Sequence, residues 1–338
     1  MVDGIGSAWS GLATWEPQVS AGIDKVLADT CPPGSRLHRA TVQILKSAQA
    51  CQGPDSNRFL PLAVLGAISG DPAPAVPVAV LSTIWFAGAE AIDDLTDAAL
   101  SDSQARALTP HELMTAGITC LTVIPVAATS RFGLPESVAA QWREELTSSS
   151  LRSAEGQIAD TTRDTDALTW SRVMRTYDAK TGTAYGRDCV MAASLAMDVA
   201  DPEALTAWRT LGRLLGVLRQ VHNDNAPVQP EQNEDLVNGT PTLLLAHALS
   251  NPDLTQQARL HELRRAALHD PAARAHLHQH LWTPSVQSGY VRRLGAVHQR
   301  AVTLLEGLAA PSAYRDAIRS RIDVSIACAV ALPADVVR

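Results

Sequence analysis

Apolar residues recur along this chain with a helical period, and the breaks between them are short. The pattern predicts a loose arm, then a short helix over residues 19–29 that stops before Cys31-Pro32-Pro33-Gly34. Helices follow over residues 37–51 and 62–69, separated by a turn at 53–61 and followed by a Pro-rich joint at 71–77. Beyond an acidic stretch ending at residue 97, helices are predicted over 110–129, 135–164, 167–179, 183–199 and 202–223. In the last of these Leu211, Leu214, Leu215 and Leu218 share one face. The chain breaks at Asn225-Ala226-Pro227 and stays polar to Gly239. The remaining helices fall over 242–250, 253–269, 271–280, 284–309 and 312–332. Alternating Val, Ile and Thr are scarce, so an all-α protein is expected. Neither a repeat nor an internal boundary is visible. The simplest division is an arm and short helix at 1–35 and a single helical domain at 36–338.

The most informative stretch is Trp85-Phe86-Ala87-Gly88-Ala89-Glu90-Ala91-Ile92-Asp93-Asp94-Leu95-Thr96-Asp97. It reads as an apolar helix of small residues that ends in carboxylates. Positions i and i+4 share a helix face, so Asp93 and Asp97 point the same way, with Asp94 beside them and Glu90 close by. Such groups repel one another, and burial would raise their pKa values. A divalent cation removes the conflict. Mg²⁺ takes oxygen ligands, keeps several waters and often sits between protein carboxylates and substrate phosphates. An acidic turn facing solvent is the plainer alternative, but a surface face is seldom preceded by so long a nearly uncharged run.

Composition narrows the picture. A formal net charge of −7 and the absence of a basic tract argue against a nucleic-acid partner. The five cysteines, Cys31, Cys51, Cys120, Cys189 and Cys328, are scattered and form no CxxC pair, which argues against a disulfide framework or structural zinc. The N-terminus lacks a basic region followed by an apolar core, and no unbroken apolar run is long enough to span a bilayer. A cytoplasmic protein without a membrane span is the expectation.

Further candidate chemistry lies downstream. Lys180-Thr181-Gly182 interrupts a helical pattern, and glycine there suits a close backbone approach. Lys180 could hold a phosphate as a point charge, or be a solvated side chain at a helix junction. Gln220-Val221-His222-Asn223-Asp224 closes a helix with oxygen donors, and Glu231, Glu234 and Asp235 follow. The plain alternative is a polar helix end with an acidic loop. His276, His278 and His280 cannot share one ion on a helix, because alternate residues diverge by about 200°. No Gly-x-Ser-x-Gly elbow and no Gly-rich phosphate loop occurs.

Taken together, these motifs resemble those of the trans-isoprenyl diphosphate synthase family, over residues 35–330. The family's Asp-Asp-x-x-Asp motif is intact as Asp93-Asp94-Leu95-Thr96-Asp97. Gly156-Gln157-Ile158-Ala159-Asp160 matches its Gly-Gln-x-x-Asp, and Lys180-Thr181-Gly182 its Lys-Thr-Gly. Gln220 to Asp224 corresponds to the second aspartate-rich motif, and Asp235 to Thr242 echoes the block that follows it. The resemblance implies an isoprenoid-synthase-type helical bundle around a central cavity, and a homodimer. It implies two facing acidic sites that hold three Mg²⁺ ions on the diphosphate of an allylic prenyl substrate. The catalytic set it implies is Asp93, Asp94, Asp97, Lys180 and Gln220, with Asp93, Asp97, Asn223, Asp224 and Glu231 on metal and Lys180 and Arg58 on diphosphate.

The departures from the family pattern point to a changed use of the cation. The basic segment that binds isopentenyl diphosphate has become Ser56-Asn57-Arg58-Phe59-Leu60-Pro61, in which only Arg58 survives. The Arg-Arg pair after the first motif is missing, and the second motif carries Asn223 in place of its leading Asp. A lone Arg cannot easily hold a second diphosphate out of water. Without an external alkene the cation would meet a double bond of its own chain, as in a class I terpene synthase. Asn223, Asp224 and Glu231 partly match the metal motif of such cyclases, although Pro227 stands at its Ser position. By resemblance, Gly88 and Ala89 leave a deep pocket, Trp85 and Phe86 form its floor, Gln157 lines it, and a C15 or C20 chain fits. The alternatives are a prenyltransferase and a non-catalytic partner subunit of one.

Overall fold

The computed structural model describes residues 9–52, 57–96, 107–161, 168–196, 201–225, 233–250 and 253–330. Among them every regular element is a helix and no strand occurs, as the apolar periodicity predicts. The chain groups into two compact units. One comprises Met1–Leu151, Gly186–Arg209 and Gly307–Ser320; the other comprises Arg152–Tyr185, Thr210–Glu306 and Arg321–Arg338.

The first unit opens with helices α1 (Glu16–Thr30), α2 (Arg36–Gln52), α3 (Leu60–Ser69) and α4 (Val76–Thr96). α5 (Pro110–Ile118) and α6 (Ile124–Ala128) follow. α4 is the centre of this unit and packs against α1, α2, α3 and α5. Val78, Ala79, Leu81, Ile84, Trp85 and Ala87 are all buried, which is why nearly the whole circumference of the helix is apolar. The stretch Ala73–Thr96 is long and apolar enough to cross a membrane, and so is Pro110–Arg131; 67% of the first one's most apolar window is buried inside the protein. Its hydrophobicity is that of a helix surrounded by other helices.

Residues 9–15 are not the loose arm that their Gly and Ser content suggests. Trp9 and Leu12 are buried, and they extend the apolar stripe that Val19, Ile23 and Leu27 form along α1. The helix predicted over 110–129 is interrupted by a π-helical turn at Thr119–Val123. Pro125 lies just beyond it; it has no N–H to donate and crowds the carbonyl four residues back, and a widened turn accommodates both effects.

The second unit holds the end of α7 (Glu136–Thr161), α8 (Trp170–Tyr177) and a π-helical turn at Asp178–Gly182. The chain then enters α9 (Thr183–Ala193), and α10 (Pro202–Asp224) ends in this unit. α11 (Glu234–Asn238), α12 (Leu243–Ala248), α13 (Leu254–Ala267), α14 (Pro271–Leu281), α15 (Pro284–Leu308) and α16 (Ala313–Val330) complete the order. Its core gathers Val173, Tyr177, Val221, Leu243, Trp282 and Tyr290. Side chains cap the short helices: Thr169 accepts from Arg172 N, Asn233 from Leu236 N and Thr242 from Leu245 N. α11 falls where the sequence reads as a polar break. Five residues carry no periodic signal, but its Asn cap and Gly239 in the left-handed region mark both ends.

Candidate functional site

The first acid set sits at the C-terminal end of α4. Asp93 and Asp94 are partly exposed there, and the Thr96 hydroxyl donates to the Asp93 carbonyl at 2.9 Å. Asp97 lies outside the described residues. Carboxylates at a helix C-terminus stand against the negative end of the macrodipole, so this placement costs stability unless a cation joins them.

One turn back, the structure gives the expected pocket residues other work. Gly88 is buried, and a Cβ on it would stand 2.7 Å from the Gly117 carbonyl oxygen and 2.7 Å from Cys120 Cβ. Its smallness therefore admits the neighbouring helix and does not deepen a pocket. Trp85 is buried, its indole N–H donates to Ser150 Oγ at 2.9 Å, and the Arg187 guanidinium lies 4.5 Å from its ring centroid. The protein thus supplies Trp85 with a cation of its own. Phe86, edge-on to Trp85 at 5.1 Å, and Ala89 are only half-buried.

Arg187 forms a buried pair with Asp188: Nε donates to Oδ1 at 2.8 Å, and Ser82 Oγ donates to Oδ2 at 2.6 Å. Burial pushes the Asp188 carboxyl above its usual range, and Arg187 and Ser82 oppose that shift. Arg58 is likewise committed to structure. Its Nη2 is 2.7 Å from Glu16 Oε2 on α1, its side chain is only 10% exposed, and its guanidinium lies over the Phe59 ring at 4.9 Å.

The second acid set belongs to the second unit and is built from segments far apart in the chain. A Cβ at Gly156 would stand 2.3 Å from the Lys180 backbone nitrogen. One at Gly216 would stand 2.6 Å from Gly182 Cα, so the close backbone approach expected at Lys180-Thr181-Gly182 is present on two sides. Lys180 Nζ is 2.7 Å from Asp160 Oδ2. Thr181 Oγ1 donates to Gln220 Oε1 at 3.0 Å, and Gln220 Nε2 donates to Asp224 Oδ1 at 3.0 Å. Tyr177 donates its hydroxyl proton to Asp224 Oδ2, and the same hydroxyl oxygen accepts from Leu243 N at 3.2 Å. Arg213 binds the Asp178 carboxylate through Nε and Nη2.

Burial drives the Asp224 carboxyl well above the usual carboxylate range, and the charge of Asp235 adds to this. The hydrogen bonds from Tyr177 and Gln220 act in the opposite direction, and Asp160 adds a smaller upward push. Gln157 is half-buried and Asn223 is exposed, whereas Glu231 lies outside the described residues. Tyr177 is the member of this set that sequence reasoning missed. It lies 47 residues from Asp224, and no spacing rule joins them.

Among the described residues no three His, Cys, Asp or Glu side chains stand together as a metal site. The candidate donors that are described, Asp93, Asp94, Asn223 and Asp224, offer only oxygen. Hard oxygen donors fit Mg²⁺ or Ca²⁺ and not zinc, which favours nitrogen and sulfur. Cys31, Cys120 and Cys189 are buried and free.

Residues 119–280 match the family model for polyprenyl synthetase. Solved structures share the fold along nearly the whole chain. Geranylgeranyl pyrophosphate synthetase from Pyrococcus horikoshii superposes with a TM-score of 0.78 at 17% identity, covering 95% of this chain and 98% of its own. Polyprenyl synthetase from Streptomyces coelicolor gives 0.73 at 20% identity, with 96% and 99% covered. A Caulobacter crescentus polyprenyl synthase, solved with calcium and isoprenyl diphosphate, gives 0.71 at 18% identity, with 95% and 98% covered. No curated protein matches significantly. The all-α architecture is that of the isoprenyl synthases. The family match, over just under half of the chain, and the shared fold make this chain similar to the polyprenyl synthetases.

Proposed function

We propose that this protein ionises an allylic prenyl diphosphate of C15 to C20 length and lets the resulting cation cyclise or eliminate, as a class I terpene synthase on the prenyl-synthase fold. Asp93, Asp97, Asn223, Asp224 and Glu231 are the proposed ligands of about three magnesium ions, whose positive charge turns diphosphate into a competent leaving group. The metal and ligand in the Caulobacter structure, calcium and isoprenyl diphosphate, support a divalent ion beside a prenyl diphosphate. Lys180 is paired with Asp160 at 2.7 Å, so like Arg58 it is already matched by a carboxylate and holds that carboxylate beside the second acid set. The half-buried Phe86 and Ala89 shield the cation from water.

The observation that carries the choice of terpene synthase is the state of Arg58. It is the last basic residue of the segment that would bind a second diphosphate, and its side chain, 10% exposed, is paired with that of Glu16, 36% exposed. A guanidinium already matched by a carboxylate gains little from a further anion and would leave Glu16 uncompensated. The second reading, a prenyltransferase that extends or passes on the prenyl chain, is favoured by the company of polyprenyl and geranylgeranyl synthases in the fold comparison. Homodimerisation is also proposed, on the exposed apolar residues Met114, Ile118 and Val123 along one stretch of the first unit.

The test is incubation with Mg²⁺ and C10, C15 or C20 allylic diphosphates, with and without isopentenyl diphosphate. Hydrocarbon or alcohol formed without isopentenyl diphosphate is the expected result. A longer diphosphate formed only in its presence would establish the transferase reading instead. Absence of turnover, with Asp93→Ala binding Mg²⁺ like the wild type, would leave a non-catalytic partner subunit.

A further inference from the structure

Asp224 has two carboxylate oxygens, and this unit supplies a neutral donor to each: Gln220 Nε2 to Oδ1 and the Tyr177 hydroxyl to Oδ2. Gln220 is part of the sequence motif that contains Asp224; Tyr177 is not. Tyr177 is 2% exposed and closes α8 immediately before the π-helical turn that bears Lys180. Its hydroxyl has a single proton to give. Because the oxygen accepts the Leu243 N–H, that proton is directed at the carboxylate. Leu243 is the first residue of α12, so the hydroxyl is fixed from both sides by helix termini of the same unit.

We propose that Tyr177 is a positioning residue that fixes the plane of the Asp224 carboxylate for metal binding. The inference rests on the reading of Asp224 as a magnesium ligand. A carboxylate ligand free to rotate must be ordered when the ion arrives, whereas one already pinned by Tyr177 and Gln220 presents its remaining lone pairs in one direction. Outer partners of this kind set the orientation of metal ligands, and losing one costs about ten- to a hundredfold in metal affinity.

The experiment measures thermal unfolding of the full chain against Mg²⁺ concentration at fixed inorganic diphosphate, since ligands that bind the native state raise the midpoint. Wild-type protein should rise in Tm, and Tyr177→Phe should need about tenfold more Mg²⁺ for half the rise. In turnover with an allylic diphosphate the same variant should show a raised apparent KM for Mg²⁺, with kcat at saturating Mg²⁺ little changed. Tyr290→Phe is the control. It too removes a buried phenol hydroxyl, one that accepts from Asn225 Nδ2 at 3.0 Å and lies near Asp224, whose oxygens take their hydrogen bonds from Gln220 and Tyr177. A Mg²⁺ dependence in Tyr177→Phe equal to wild type overturns the inference, and so does an equal shift in Tyr290→Phe, which would mean general loosening. If Tyr177→Phe does not fold, fluorotyrosine placed at Tyr177 keeps ring and hydroxyl and changes only donor strength; an unmoved Mg²⁺ dependence there is equally decisive. Should Mg²⁺ and diphosphate leave the wild type itself unshifted, the assignment of Asp224 to metal falls and takes this inference with it.

Discussion

The two acid-bearing regions are made in opposite ways. Asp93 and Asp94 come from one helix, α4, whose own periodicity sets their directions and whose apolar body is held by the first unit. Asp224 is set by a hydrogen-bond chain through Thr181, Gln220 and Tyr177, anchored on Leu243. The first set is cheap to encode, and its carboxylates are partly exposed and stand against a helix dipole. The second is expensive to encode and closely supported, with each Asp224 oxygen met by a donor. A local motif can be written in five letters, whereas a wired one needs a folded unit. The first should therefore lose function without losing stability when altered, and the second should lose some of both.

The largest expected effect is on turnover. Asp93→Ala should lower kcat/KM by a factor on the order of 10³ or more, the scale of removing a group that acts at the reacting centre. Its unfolding midpoint should stay within a few degrees of wild type, because a carboxylate at a helix C-terminus does not stabilise the helix. A variant that kept most of its activity would remove α4 from the site. Next comes the buried pair under Trp85. Asp188→Asn should destabilise the protein by about 3 kcal/mol or more, because it leaves Arg187 charged and uncompensated in the core. Denaturant unfolding measures this, and a change below about 1 kcal/mol would show that the pair is not the anchor its geometry indicates.

How far the sequence disclosed this molecule follows the same division. Helices long enough to show a period were legible: the prediction over 37–51 became Arg36–Gln52, and that over 284–309 became Pro284–Leu308. The motif glycines were legible too, since a close approach at Gly182 follows from glycine in an otherwise helical run. What could not be read were the consequences of packing. Gly88 looked like space for a substrate because a missing side chain has no address in a sequence; only the crossing helix shows what fills it. Arg58 looked like a surviving anion site because its partner, Glu16, is remote in the chain. Tyr177 carried no signal for the same reason. The five-residue helix at Glu234–Asn238 escaped because it is shorter than two turns.

Glycine substitutions sharpen the comparison at intermediate scale. Gly88→Ala in the first unit and Gly156→Ala in the second each place a methyl against backbone atoms, at 2.7 Å from the Gly117 carbonyl oxygen and 2.3 Å from the Lys180 nitrogen. Both should destabilise by about 1–3 kcal/mol through overpacking. Only Gly156→Ala should also lower turnover, since it displaces the backbone that carries Lys180. If Gly88→Ala instead shortened the preferred substrate at unchanged stability, the pocket reading of that position would be restored.

The smallest expected effect is a pH dependence confined to the second unit. His247 stands among Trp170, Tyr290 and Arg293, with ring centroids 6.5 Å and 6.1 Å from the two aromatics. Partial burial lowers its pKa below the ordinary histidine value; the nearby Arg293 charge acts the same way, and a backbone hydrogen bond with Val286 opposes them. A histidine whose folded pKa is depressed takes up its proton more readily when unfolded. Its contribution is therefore intact above the unfolded value of about 6.5 and declines as the pH falls through that value toward the lower folded one. Because the ring is not fully buried, solvent screening keeps the loss below about 1 kcal/mol. Denaturant unfolding of wild type and His247→Gln at about pH 7.5 and about pH 5 isolates it: the wild type should lose more stability on acidification than the variant. An acid-induced loss of stability that His247→Gln leaves untouched would move the pH sensitivity elsewhere in the chain.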